Sequence, residues 1–243
     1  MTSLERVDLF GDNIGAVEYV KHSGTDLTVV NAARVSFGSH KESLDDGDKK
    51  LIKYLASHNH SSPFEHCNIT FRFVVPLFIR SQHHRHRTWA YNEISRRYTS
   101  VDMKFYEPLS FRSQHSSNRQ ASTDQMVNPD MNLINQSTAK SLIPRPPNLA
   151  SEVVSRHHAS SLNLYEDLIA AGVCREQARG ILPQNLYTEY YGTASLHNLI
   201  KFISLRVHEG AQWEIQQVAK ACAQIAFEHF PVSMSSFADK MGL

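Results

Sequence analysis

From Asp26 to Arg34 (DLTVVNAAR) the chain reads as a helix, with Thr25 or Asp26 placed to cap its start. Ser36, Phe37 and Gly38 end it. A charged stretch (SHKESLDDGDKK) then leads to a second helix, where Leu51, Ile52 and Leu55 share a face. After the turn-rich HNHSSPFEH the period changes to two. Ile69, Phe71 and Phe73 point one way and Asn68, Thr70 and Arg72 the other, which predicts a half-buried strand in an antiparallel sheet. Pro76 interrupts the strand, and LFIRSQHHRHR is expected to continue as a helix.

Residues 110 to 150 are rich in Ser, Asn, Gln and Pro and poor in aromatic side chains. They read as a long surface loop, at about 110–148, with room for a short helical piece. Neither flank of this loop is complete by itself, so residues 1–243 read as one domain. Further on the pattern is mainly helical. Leu162, Tyr165, Leu168 and Ile169 make an amphipathic face stopped by Gly172. Arg175 to Leu182 reads as a short helix ended by Pro183, and Tyr187 to Tyr191 has strand composition. Ser195 is placed to cap LHNLIKFISLR. In the long helix after Gly210, Ile215, Val218, Cys222 and Ile225 recur at helical spacing, as core or subunit interface.

Composition narrows the class. With 243 residues, 41% hydrophobic and 20% charged, the chain is a globular protein able to bury a core without disulfides. Lys and Arg number 25 against 24 Asp and Glu, which disfavours a polycation built to coat nucleic acid. Apolar runs fall well short of the roughly 20 residues that span a bilayer, and the first residues do not read as a signal peptide. Cys67, Cys174 and Cys222 are far apart and odd in number, which favours a reducing compartment, hence the cytoplasm or, for a viral chain, the host cytoplasm.

Two polar constellations stand out among the fourteen histidines and their neighbours. The denser is RHRTWAYNEISRRY, Arg85 to Tyr98, with four arginines, Asn92, Glu93 and Ser95. Guanidinium groups take phosphate with two prongs, and the amide, carboxylate and hydroxyl supply directional bonds to a base or sugar edge. This is a nucleotide-phosphate site or a solvated basic face. The other is HNHSSPFEH, where His58, His60, Glu65 and His66 invite a metal or simply form a polar turn. Arg206 lies in an apolar setting and needs an anionic or acceptor partner, from Glu209, Glu214 or a ligand.

These segments together resemble the flavin-dependent thymidylate synthases. The family signature RHR, seven residues, Ser is present as Arg85, His86, Arg87 and Ser95. Its longer form is matched also at Asn92, Glu93, Arg97 and Tyr98. AARVSF (Ala32–Phe37), HxHxxPFEH (His58–His66), SNRQAS (Ser117–Ser122), LPxNLYT (Leu182–Thr188), SLR (Ser204–Arg206) and AQWEIQQ (Ala211–Gln217) follow in family order. The resemblance implies an α+β fold, a mixed, mainly antiparallel sheet with packed helices. It implies methylation of dUMP to dTMP, with methylenetetrahydrofolate supplying carbon, FAD carrying the hydride and NADPH reducing the flavin. A homotetramer with shared active sites is implied as well, with no metal, nucleic acid or membrane partner.

By position, the resemblance makes Gln82, Arg85, Glu93, Ile94, Ser95, Arg96, Arg97, Arg179 and Arg206 the contacts to dUMP. Ser36, Ser62, Glu65, Arg85, His86, Arg87, Thr88, Asn92 and Glu93 would line the flavin. Arg206 would polarise the uracil ring, His60 would lie between folate and flavin, and Ser95 would orient dUMP rather than attack it. Three departures stand out. Ala90 replaces a signature serine, Gly210 stands where relatives carry histidine, and Ser195, His197 and Lys201 occupy flavin-contact positions held by other residue types. Arg112, Gln114, Asn118, Arg119 and Gln120 read as ligand-type residues on a substrate lid. A metal-dependent phosphohydrolase using His58, His60 and His66, and an RNA-binding module, are the competing classes.

Overall fold

A computed structural model of the chain describes residues 5–99, 102–119, 121–134 and 147–242. In chain order the strands are β1 (Arg6–Asp8), β2 (Ala16–Ser23), β3 (Asn68–Pro76), β4 (Ala90–Glu93), β5 (Phe111–Gln114), β6 (Ser122–Val127) and β7 (Tyr187–Ser195). The helices are α1 (Asp26–Arg34), α2 (Asp46–Ser57), α3 (Leu77–His83), α4 (Met131–Ile134), α5 (Ala150–Ala170), α6 (Arg175–Ala178), α7 (Leu196–Arg206), α8 (Trp213–His229) and α9 (Pro231–Met241). The residues gather into two compact units, Met1–Ile94 with Thr188–Leu243, and Ser95–Tyr187.

The first unit is built on a five-stranded sheet of order β1-β2-β3-β7-β4, with antiparallel pairing of β1 with β2, β2 with β3 and β4 with β7. The fold is thus α+β with an antiparallel sheet, as the alternation in β3 predicts. Ile69, Phe71 and Phe73 are fully buried. On the other side Arg72 bridges Glu18 of β2 and Glu189 of β7, each at 2.6 Å, and Glu18 continues to Arg6 of β1. These bonds outweigh the effect of burial and lower the pKa of Glu18. Strand β2 escapes the sequence pattern because its register shifts between Tyr19 and Lys21, which breaks the period of two.

Helix α3 stops at His83 rather than running through Arg87. In α8, Ile215, Val218, Cys222 and Ile225 are fully buried among β2, α3, α7 and α9, so these positions belong to the core of this unit. Helix α9, with Pro231 in its first turn, is absent from the sequence reading. Its start is held by Asp26 of α1, whose carboxylate accepts from the amides of Val232 and Ser233 and from the Ser233 hydroxyl.

In the second unit α5 buries Tyr165. His158 on the same helix bonds Glu107 at 2.7 Å and stacks on Phe105. The stretch read as a loop at about 110–148 contains an antiparallel hairpin of β5 and β6. Its cross-strand contacts are polar, Ser113 with Thr123 and Arg112 with Ser122, so no apolar alternation announces it. Residues 135–146 lie outside the described residues. Among the described residues no helix is long and apolar enough to cross a membrane.

Two expectations follow. Asp26→Ala strands the buried Ser233 and the start of α9 without their acceptor, and should cost on the order of 2–4 kcal/mol, read as a lowered melting temperature. Asp26→Asn, which keeps one acceptor oxygen, should cost less. The fully buried ring of His83 and the half-buried ring of His229 are held below the ordinary histidine pKa of 6.5, by burial first and by neighbouring histidines second. Above 6.5 both folded and unfolded rings are neutral. Below it the unfolded chain takes up protons that the folded core refuses, so stability should fall as pH drops from 6.5. Denaturant midpoints at pH 7.5 and 5.5 check this; equal midpoints would contradict it.

Candidate active site

The chain between α3 and β4 makes a tight turn, with the amides of Arg85, His86 and Trp89 bonded to the carbonyls of Gln82, His83 and His86. The hydroxyl of Tyr91 donates to the carbonyls of His83 and His86, at 2.9 and 3.1 Å, and closes the turn. His83 is fully buried, bonds the Tyr190 hydroxyl through Nδ1 at 2.8 Å, and packs on Phe73, Trp89 and Phe202. With His83 and Trp89 turned into the core, Arg85, Arg87, Thr88 and Asn92 are left exposed.

His86 is half-buried, edge-on to Phe202, and its Nε2 accepts from Nε–H of Arg206 at 3.1 Å. The acceptor that Arg206 requires is therefore this imidazole, not Glu209 or Glu214. Burial, then the positive charges of Arg206 and Lys201, push His86 down to about 4, so the ring is neutral at pH 7. The pKa of Arg206 is lowered by burial and by the charge of Arg85. Arg206 thus rests on a neutral ring that the charge of Lys201 also reaches, Arg85 acts on Arg206 in turn, and among the described residues none of these three cations forms an ion pair with a carboxylate.

Other candidates of this unit are held nearby in sequence and by side-chain bonds. Glu93 accepts from the Thr188 hydroxyl at 2.7 Å and lies 3.1 Å from Arg80 as an ion pair. Gln82 donates to Gln212, which donates in turn to Glu214. The Ile94 amide bonds the Glu189 carbonyl, and its side chain is exposed. Ser195 caps α7, its oxygen accepting from the amide and side chain of Asn198. Lys201 stands on the exposed side of α7 and His197 is half-buried.

Ser36, His60 and Ser62 are brought together on a cavity of about 570 Å³ between α1, α2 and the 3₁₀ turn Ser62–His66. Arg34, Phe37 and Tyr54 line it too. Sequence reading assigned no role to these three, although Arg34 and Phe37 lie within the quoted AARVSF. Phe37 is 86% exposed and Tyr54 51%, aromatic surface that a core pattern does not reveal. Arg34 is fixed by the fully buried Asp48 at 2.6 Å, which also binds Lys41 at 2.7 Å. Despite burial, those bonds hold the Asp48 carboxyl well below its usual range. Glu65 is exposed and is not part of the cavity wall.

Two of the three histidines of HNHSSPFEH, His58 and His60, lie against Tyr54. His58 stacks on its ring at 4.1 Å and bonds its carbonyl through Nδ1, while His60 stands edge-on at 5.9 Å. Among the described residues no three His, Cys, Asp or Glu side chains are placed to hold a metal ion.

In the second unit Ser95 Oγ accepts from the Arg97 amide at 3.3 Å, and Arg96 donates to the Tyr187 carbonyl at 3.3 Å. Arg97 lies 3.6 Å from Glu176 and over the ring of Tyr98, and Arg179 is exposed. Arg112 and Gln114 are bonded within the hairpin, to Ser122 and to the Asn118 and Ala121 carbonyls. Gln120 lies outside the described residues.

Comparison with known proteins agrees with this arrangement of motifs. The family model described as thymidylate synthase complementing protein matches residues 18–232. A flavin-dependent thymidylate synthase of Thermus thermophilus is 37% identical over 227 residues, 93% of this chain and 77% of the relative. One from Thermotoga neapolitana is 36% identical over 223 residues, 92% of this chain and 90% of the relative. Among solved structures, the UMP/dUMP methylase PolB of Streptomyces cacaoi, bound with 5-Br dUMP, aligns with a TM-score of 0.75 at 31% identity. That alignment covers 96% of this chain and 97% of PolB. By sequence and by fold, the chain belongs to the thymidylate synthase complementing protein family, that of the flavin-dependent thymidylate synthases.

Proposed function

We propose that this enzyme methylates dUMP to dTMP, with methylenetetrahydrofolate as carbon donor, FAD as hydride carrier and NADPH as reductant. The observation that carries this reading is the bond of Arg206 to the neutral His86, with the charge of Lys201 acting on that ring, that of Arg85 acting on Arg206, and no carboxylate paired with any of the three among the described residues. Uncompensated cations in one place suit a phosphate-bearing ligand. The relatives are named as flavin-dependent thymidylate synthases, and PolB as a UMP/dUMP methylase, which agrees with a nucleotide substrate.

The residues also fit an anionic dinucleotide cofactor. Nε of Arg34 is buried without a hydrogen-bond partner, on a side chain that lines the same cavity as Ser36 and Ser62. Ser36, Ser62, His60 and Arg34 would hold FAD there, and the resemblance adds Glu65, Arg85, His86, Arg87, Thr88, Asn92, Glu93, Ser195, His197 and Lys201. When bound, reduced FAD supplies the hydride that completes the methyl group.

The chain's own side chains bind, orient and stabilise charge. Uracil becomes a carbon nucleophile only as negative charge builds on its ring, and the guanidinium of Arg206 is the group that meets this charge. Its Nε–H is committed to His86, which leaves both Nη groups for the substrate. Arg85 with Gln82, Glu93 and Ile94 binds dUMP. The assignment of Ser95, Arg96, Arg97 and Arg179 to dUMP rests on the resemblance alone. Tyr54 supports the His60 ring, which would lie against a planar heterocycle. No cysteine is required: Cys67 and Cys222 are buried, burial raises both thiol pKa values, Cys67 to about 12, and the exposed Cys174 bonds Gln177 and is not part of the cavity wall. A homotetramer with shared active sites, acting in the cytoplasm, completes the proposal.

Purified protein is expected to show a flavin absorption band and to oxidise NADPH in a dUMP-dependent way. Colourless protein that takes up no added FAD would refute the assignment. Arg206→Ala should lose on the order of 2–4 kcal/mol of transition-state stabilisation, about 30- to 1000-fold in kcat, with flavin absorbance retained. Normal turnover of dUMP by this variant would make the arginine's role structural.

A further inference from the structure

We propose that His86 is a positioning residue for Arg206, its unprotonated Nε2 fixing the direction of the guanidinium plane. This rests on the reading that Arg206 meets the charge developing on the substrate. The resemblance places His86 only along the flavin, and its bond to Arg206 goes beyond that assignment. Nε–H of Arg206 reaches Nε2 of His86 at 3.1 Å, and an N–H donor requires a nitrogen lone pair there. The neutral ring must then carry its proton on Nδ1.

The His86 end of this bond is anchored. The His86 carbonyl is held by Tyr91 and its amide by the His83 carbonyl. Its ring rests edge-on against Phe202, four residues before Arg206 on the same helix. The choice of acceptor has an electrostatic meaning. A carboxylate in this place would orient Arg206 but cancel its charge, whereas a neutral imidazole orients it and leaves the full positive charge for the substrate. Arg206 and Lys201 in turn disfavour a second proton on the ring, and burial does the same. The arrangement maintains its own protonation state.

The test uses flavin-loaded enzyme. His86→Leu, assayed at saturating added FAD so that any weakened flavin contact is made good, should lower kcat by about ten- to a hundredfold, with KM for dUMP changed by less than about threefold. His86→Gln, whose side-chain oxygen can take the place of Nε2, should recover most of that loss. His86→Leu combined with Arg206→Ala should be no slower than Arg206→Ala alone, since both remove one device. Nitrogen-15 spectra of the unmodified protein at pH 7 should show His86 protonated at Nδ1 and bare at Nε2. Additive losses in the double variant, normal kcat in His86→Leu beside an impaired Arg206→Ala, or a proton on Nε2 would each overturn the proposal. Should His86→Leu fail to fold, the Gln variant and the spectra decide. Arg206→Ala at full rate would instead remove the functional reading on which the proposal stands.

Discussion

The seating of His83 in an aromatic core governs the rest of the site. Its ring is sealed among Phe73, Trp89, Tyr190 and Phe202, with one nitrogen bonded to Tyr190. A charged imidazole could not occupy that place, so the ring stays neutral and acts as an aromatic wedge with one polar handle. Once His83 is fixed, the following turn has little freedom. Tyr91 takes its carbonyls, His86 falls against Phe202, and the arginines on either side of His86 are exposed. The exposure of these arginines is a consequence of how the core is filled.

Charge is distributed unevenly over the first unit, and that asymmetry separates architecture from chemistry. Across the sheet, cations and carboxylates alternate: Arg6, Glu18, Arg72 and Glu189 satisfy one another over four strands. Asp48 does the same for Arg34 and Lys41 beneath the cavity. Around His86 the rule is suspended. The charge of Arg85 acts on Arg206, those of Arg206 and Lys201 act on the neutral His86, and among the described residues no carboxylate pairs with any of the three, an arrangement that suits the proposed anionic substrate.

How much of this was legible before the structure depended on whether the signal was periodic. The apolar alternation of β3 and the helical face of α8 are local patterns, and both elements stand where they were read. Strand β2 was lost to its register shift, the β5–β6 hairpin to its polar cross-strand pairs, and α9 to a start stabilised by a residue far away in sequence. Motif spacing singles out the arginines and histidines as candidates, but a linear string cannot name the partner of Arg206. Glu209, Glu214 and a ligand are the candidates the sequence offers, and the side chain that accepts from Arg206 is a histidine outside its helix, brought in by tertiary packing. Tyr54 and Phe37 were missed for the opposite reason: exposed aromatics carry no periodic signature.

The bond between Asp26 and the start of α9 constrains the order in which the protein can be made. The first unit is assembled from two stretches of chain, Met1–Ile94 and Thr188–Leu243, with the second unit emerging between them during synthesis. Asp26 must wait for Val232 and Ser233, more than two hundred residues later, and its helix cannot be locked until they have left the ribosome. Ser95–Tyr187 is continuous and has no such wait. A nascent chain therefore carries a half-built sheet, with Phe71 and Phe73 still lacking β7 and α8, for most of its translation. Variants that weaken the closing bond would be expected to show their defect in yield from the cell before they show it in the folded enzyme.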